Sequence, residues 1–92
     1  MNFYDWIVNI KRLSNATAEK YSNAIYGVIS EWMIENNISF RSLDLIENER
    51  ELVTILNRIR ELPIFIERNT IGHNMYSCAL DKYEEYRRNN KH

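Results

Sequence analysis

Ninety-two residues, with 12 lysines and arginines against 13 aspartates and glutamates, give a formal net charge of −1 and enough chain for one hydrophobic core, not two. A dedicated, indiscriminate polyanion binder is far more basic, because phosphate neutralisation dominates such affinity, so this balance counts against strong stand-alone binding to nucleic acid while permitting a share in a larger footprint. The single cysteine, Cys78, forbids an internal disulfide and a cysteine-based metal site.

Two glycines and one proline leave few places to break the chain. With no run of alternating β-branched residues, that poverty of punctuation predicts an all-α fold in one domain, residues 1–92. No basic segment followed by an apolar run opens the N-terminus, and the longest apolar runs are far too short to cross a bilayer. An intracellular, cytoplasmic place of action away from membranes is expected.

In chain order, Phe3, Trp6, Ile7 and Ile10 at helical spacing predict a first helix over about Asn2 to Leu13. Ser14-Asn15 is a polar break suited to an N-cap. A second helix follows from about Ala16 to Asn36, with Ala18, Tyr21, Ile25, Val28 and Trp32 on one stripe and Asn36-Asn37 as terminator. Ile38 to Ile46 reads as a connector anchored by Ile38, Phe40, Leu43 and Leu45. Asn48-Glu49-Arg50-Glu51 resembles a capping box with Asn in the usual Ser or Thr position. It opens a third helix to about Leu62, presenting Leu52, Ile55, Leu56 and Ile59. Pro63 marks a boundary and starts a short helical turn through Phe65 and Ile66. The last helix starts near Thr70, buries Gly72, Tyr76, Ala79, Leu80 and Tyr83, and frays in a basic tail of about residues 87–92.

The outward faces are informative. The second helix exposes Lys20, Asn23, Tyr26, Gly27 and Ser30. A glycine inside a helix costs about 1 kcal/mol relative to alanine. Either another backbone approaches Gly27 closely and Tyr26 is a contact residue, or Tyr26 covers a neighbouring helix and Gly27 is tolerated. On the last helix Thr70, His73, Asn74 and Ser77 lie beside the positive dipole end, whereas Asp81, Glu84 and Glu85 further on would repel phosphate. Cys78 falls on an outward face.

Catalytic constellations are not found. His73 and His92 are too few for a metal site, the acid pairs Glu49/Glu51 and Glu84/Glu85 diverge, and Cys78 and His73 project differently. No glycine-rich phosphate loop is present. No enzymatic activity, metal or cofactor is expected.

Two segments resemble a known family. Ser14-Asn15-Ala16-Thr17-Ala18-Glu19-Lys20-Tyr21-Ser22-Asn23-Ala24-Ile25 is similar to the S-x-x-T-x-x-x-Y-x-x-x-L opening of the core-binding domain of phage integrases and other tyrosine recombinases, with Ile25 at the last apolar position. The stretch from Thr70 to Tyr86 resembles that family's final helix, with Ala79-Leu80 and Tyr83 at its apolar positions. Gly72-His73-Asn74-Met75-Tyr76-Ser77-Cys78-Ala79-Leu80 is similar to a helix of core-binding-like modules at the N-terminus of restriction endonucleases and related defence proteins. The resemblance implies a SAM-like, compact orthogonal bundle of four to five helices. The recombinase catalytic cluster belongs to a separate domain, so Tyr83 and Tyr86 are expected in the core or at its rim.

The resemblance further implies a non-catalytic DNA-binding module, the targeting domain of a restriction, defence or recombinase-related protein. It would contact duplex DNA, weakly when alone, through Thr17, Lys20 and Asn23, joined by the outward Tyr26, and through Thr70, His73, Asn74 and Ser77. The alternative is a protein–protein adaptor, phage-encoded and directed at a host or defence factor, working through Tyr26 and its neighbours. A structural cap or dimerisation domain is the third reading.

Overall fold

In the computed structural model, which describes residues 1–89, every regular element is helical and no strand occurs among the described residues. Helix α1 (Phe3–Asn9) opens on Asn2, whose Oδ1 accepts from the Asp5 amide at 2.8 Å. It buries Phe3, Trp6 and Ile7. It stops well before Leu13: the amides of Ile10 and Lys11 both close on the Trp6 carbonyl, and Arg12 takes a left-handed φ of 56°. Ile10, expected inside, therefore lies past the helix and is 56% exposed.

Ser14 caps the next helix, its Oγ accepting from the Thr17 amide at 3.1 Å. Helix α2 (Asn15–Asn23), a π-helical turn (Ala24–Val28) and α3 (Ile29–Glu35) then run without a break. In the π turn the Ile29 amide reaches back to the Ala24 carbonyl, and the Ser30 hydroxyl donates to the Ile25 carbonyl at 2.8 Å. One extra residue per turn displaces the apolar stripe, so Ile29 and Met33 face the core and Val28 is only half-buried. Asn36 closes the helix by donating its side-chain amide to the Trp32 carbonyl, and Asn37 follows in the left-handed region at φ 54°.

The connector departs from expectation in two of its four anchors. A 3₁₀ turn, Leu43–Leu45, repeats every three residues, which puts Leu43 and Ile46 together in the core and turns Leu45 outward. Phe40 is 74% and Leu45 65% exposed. Asn48 caps α4 (Glu49–Arg60) by accepting from the Glu51 amide at 2.9 Å, and Leu52, Ile55, Leu56 and Ile59 are buried as their spacing requires.

Pro63 does more than start a short turn. It occupies the first position of α5 (Pro63–Ile71), where its missing amide costs nothing. Thr70 thus belongs to the last turn of α5, and the final helix, α6 (Met75–Asn89), begins later than expected. Between them Gly72, His73 and Asn74 form a turn in which His73 and Asn74 have φ of 54° and 67°. A side chain at Gly72 would place its Cβ 3.2 Å from the Arg68 carbonyl oxygen, so this position favours glycine.

The core draws on every helix, with Phe3, Ile7, Ile25, Ile29, Met33, Leu56, Leu80 and Tyr83 among its fully enclosed side chains. Tyr21, Val28 and Tyr76 pack at its edge. The expected fraying from residue 87 does not begin there. Arg87 donates to the Leu43 carbonyl at 2.6 Å, to the Tyr83 hydroxyl at 2.9 Å and to the Ile46 carbonyl. The rest of that expectation, on residues 90–92, and His92 with it, lies outside the described residues.

Candidate nucleic-acid interface

Helix α6 packs against the long helix. Tyr21 lies near enough to Cys78 for the thiol to act on its phenol, and the ring of Trp32 packs 5.4 Å from that of Tyr76. Residues 21 and 32 are about 16 Å apart along a helix, yet they meet positions 76 and 78. In sequence Lys20 adjoins Tyr21 and Ser77 adjoins Cys78, so each group of expected contact residues has one member next to this packing of α2 on α6. Burial, then the neighbouring thiol, raises the Tyr21 pKa above that of a free phenol.

On α2, Lys20 and Asn23 are exposed, and neither side chain has a partner among the described residues. Thr17 is half-buried and accepts from the Ser14 hydroxyl at 3.0 Å. Gly27 is open to solvent, with no atom beyond its own stretch of helix within 4 Å of where a Cβ would stand. Nothing among the described residues requires a glycine there.

Tyr26 is a cover, not a freely projecting contact. Its hydroxyl donates to Asp44 Oδ1 at 3.1 Å, and its ring meets Phe3 and Tyr83 edge-on with centroids 6.5 and 6.4 Å away. Burial, then the Asp44 carboxylate, pushes its phenol well above the ordinary range. It belongs with the connector and the later turns of α6.

The second group is split by the turn that precedes α6. The Thr70 hydroxyl donates to the Ile66 carbonyl at 3.0 Å, and the Ser77 hydroxyl donates to the Asn74 carbonyl at 3.0 Å. The Ser77 amide donates to Asn69 Oδ1 at 2.9 Å, so Asn69 serves as a remote cap of α6. His73 and Asn74 stand exposed on the turn itself, and only a long 3.4 Å contact from Asn69 reaches the Asn74 side chain. Four of the eight expected residues therefore keep an outward polar group free: Lys20, Asn23, His73 and Asn74.

Two cations escaped the sequence reading. Arg12 precedes the Ser14 cap, and Arg68 stands one turn before Gly72; both are exposed without an ion pair among the described residues. The available signal was a charge beside a helix start for Arg12 and in a last helical turn for Arg68. The other flank is self-neutralised: Lys11 pairs with Glu85 at 2.7 Å, and Arg60 bridges Asp81 and Glu84 at 3.1 Å each. Among the described residues no group of three His, Cys, Asp or Glu side chains could hold a metal ion, and no helix is long and apolar enough to cross a membrane.

No family model, curated protein or solved structure matches the chain.

Proposed function

We propose that the chain is a non-catalytic DNA-binding module, the targeting part of a restriction, defence or recombinase-related protein. It meets duplex DNA through the outer side of α2 and the turn that opens α6. One observation supports the reading: Lys20, Asn23, His73 and Asn74 are all exposed, and α2 packs against α6, the helix that the His73-Asn74 turn opens. Arg12, just before α2, and Arg68, in the last turn of α5, can add to the phosphate contacts.

With so few unpaired cations on that side, binding is weak and steeply dependent on salt. Fluorescence anisotropy with labelled duplexes at about 50 mM salt tests this. Lys20→Glu should weaken binding to every duplex, because it replaces an attraction to phosphate with a repulsion. Asn23→Ala should shift preference among sequences if its side chain meets an adenine edge, a contact worth about 1–3 kcal/mol. At position 74 the left-handed φ makes glycine the clean replacement, since alanine would add backbone strain. Absence of binding by the wild type at that salt would end the DNA reading.

The adaptor reading has its own support in the exposed aliphatic side chains of α5, Ile66 at 54% and Ile71 at 67%. Since Tyr26 is held by Asp44, an adaptor surface would be sought there and not at Tyr26.

A further inference from the structure

We propose that the shallow groove between the connector and α4 docks an acidic, amphipathic segment of a partner protein. This surface is separate from the one assigned to DNA, and the inference does not rest on that reading. The groove has an apolar floor of Ile38 and Ile55, both packed onto the core. Arg50 and Arg58 stand along it, exposed, and neither forms an ion pair or side-chain hydrogen bond among the described residues. They are two helical turns apart, about 12 Å along the axis.

Among the described residues the only acid lining the groove is Glu51, and it is ion-paired to Arg41. Arg50 and Arg58 against Glu51 leave the lining at +1, and Glu51 is itself neutralised by Arg41, on a chain whose net charge is −1. Free guanidinium groups beside an apolar floor ask for carboxylates flanking an apolar side chain, because the guanidinium fork takes a carboxylate through two parallel hydrogen bonds. An extended segment spans the gap between the two arginines in about four residues.

A nucleic-acid strand would also satisfy the arginines. What favours protein is the apolar company in the same groove. Ile38 and Ile55 line the groove with the arginines, apolar surface that gives a phosphate backbone no purchase but that a protein side chain covers.

The test is anisotropy of a labelled peptide of about twelve residues that alternates Asp and Glu with Leu and Phe, run beside an oligothymidylate of about the same length. The wild type should bind the peptide with a Kd below about 1 mM. Arg50→Glu/Arg58→Glu should weaken that binding at least about tenfold. Arg50→Gln/Arg58→Gln, which removes the charges without reversing them and guards against a folding defect, should weaken it about threefold. Lys20→Glu should leave peptide binding unchanged, which separates this groove from the DNA surface. The proposal is overturned if the wild type ignores the peptide, if both double variants bind it like wild type, or if the oligothymidylate binds through these arginines and the peptide does not.

Discussion

Tyr26 and Tyr83 share one acceptor atom: both hydroxyls donate to Oδ1 of Asp44, at 3.1 and 2.5 Å. The two tyrosines come from different helices, and the aspartate comes from the 3₁₀ turn of the connector. A single carboxylate oxygen thereby ties the long helix, the connector and α6, with Phe3 packed edge-on against both rings.

Asp44→Ala should destabilise the fold by about 1–3 kcal/mol, the cost of stranding a buried donor. The loss falls mainly on Tyr83, which is 0% exposed, whereas the partly exposed Tyr26 can turn to water. Tyr26→Phe should accordingly cost less than about 1 kcal/mol. Urea denaturation of the two variants gives the comparison, and equal losses would contradict the assignment of Tyr83 as the dependent partner.

The same pair makes stability sensitive to alkali. Burial, then the Asp44 carboxylate, raises the phenol of each tyrosine well above the ordinary range, although Arg87 beside them partly opposes the shift. The folded chain keeps both protons, while the unfolded chain releases them above about pH 10. The contribution is therefore complete below about pH 10 and declines as pH rises beyond it. Denaturation midpoints at about pH 9 and about pH 11 should differ, and Tyr83→Phe should reduce the difference.

Arg87 fastens the connector from the other side through the carbonyls of Leu43 and Ile46. Arg87→Ala should cost roughly 2 kcal/mol or more, since hydrogen bonds from a charged donor are among the stronger ones. Arg87→Lys should not restore the loss, because a single ammonium cannot reproduce a planar fork bonded to two carbonyls and a phenol. Thermal melts of the three proteins decide the point.

Gly27→Ala should stabilise the chain by about 0.5–1 kcal/mol, as helical backbone without steric hindrance gains from alanine. If the α2 face meets DNA closely, the same substitution should weaken duplex binding. Stability and affinity moving in opposite directions is the outcome to look for, by melting and anisotropy on one preparation.

Much of this architecture is local, and so it was readable in the sequence. Ser14 and Asn48 announce helix starts, Asn36-Asn37 announces an end, and the spacing of Leu52, Ile55, Leu56 and Ile59 defines a buried face. The π turn was not readable, because one wider turn is selected by packing and leaves no residue signature; its effect was to exchange Val28 for Ile29 in the core. The break before α6 did have a signature, Gly72 followed by Asn74, but the helical wheel runs smoothly through it. That misplacement carried Thr70, His73 and Asn74 onto a helix they do not occupy. Exposure of Lys20 and Asn23 was legible from periodicity alone. The tethering of Tyr26 was not, since Asp44 lies 18 residues away and no local pattern links them.

The fastening of the connector by Arg87 also bears on the order in which the chain acquires its structure during synthesis. Leu43 and Ile46 emerge more than 40 residues before the guanidinium that holds them, at separations of 44 and 41 residues. A contact that spans so much chain is slow to close relative to a helix turn. While α4 and α5 are being added, the connector carries the exposed Phe40 and Leu45 without its clamp. A ribosome stalled before residue 87 would therefore display a nascent chain whose first helices are capped and whose middle is still loose. That nascent species would be the one to engage chaperones.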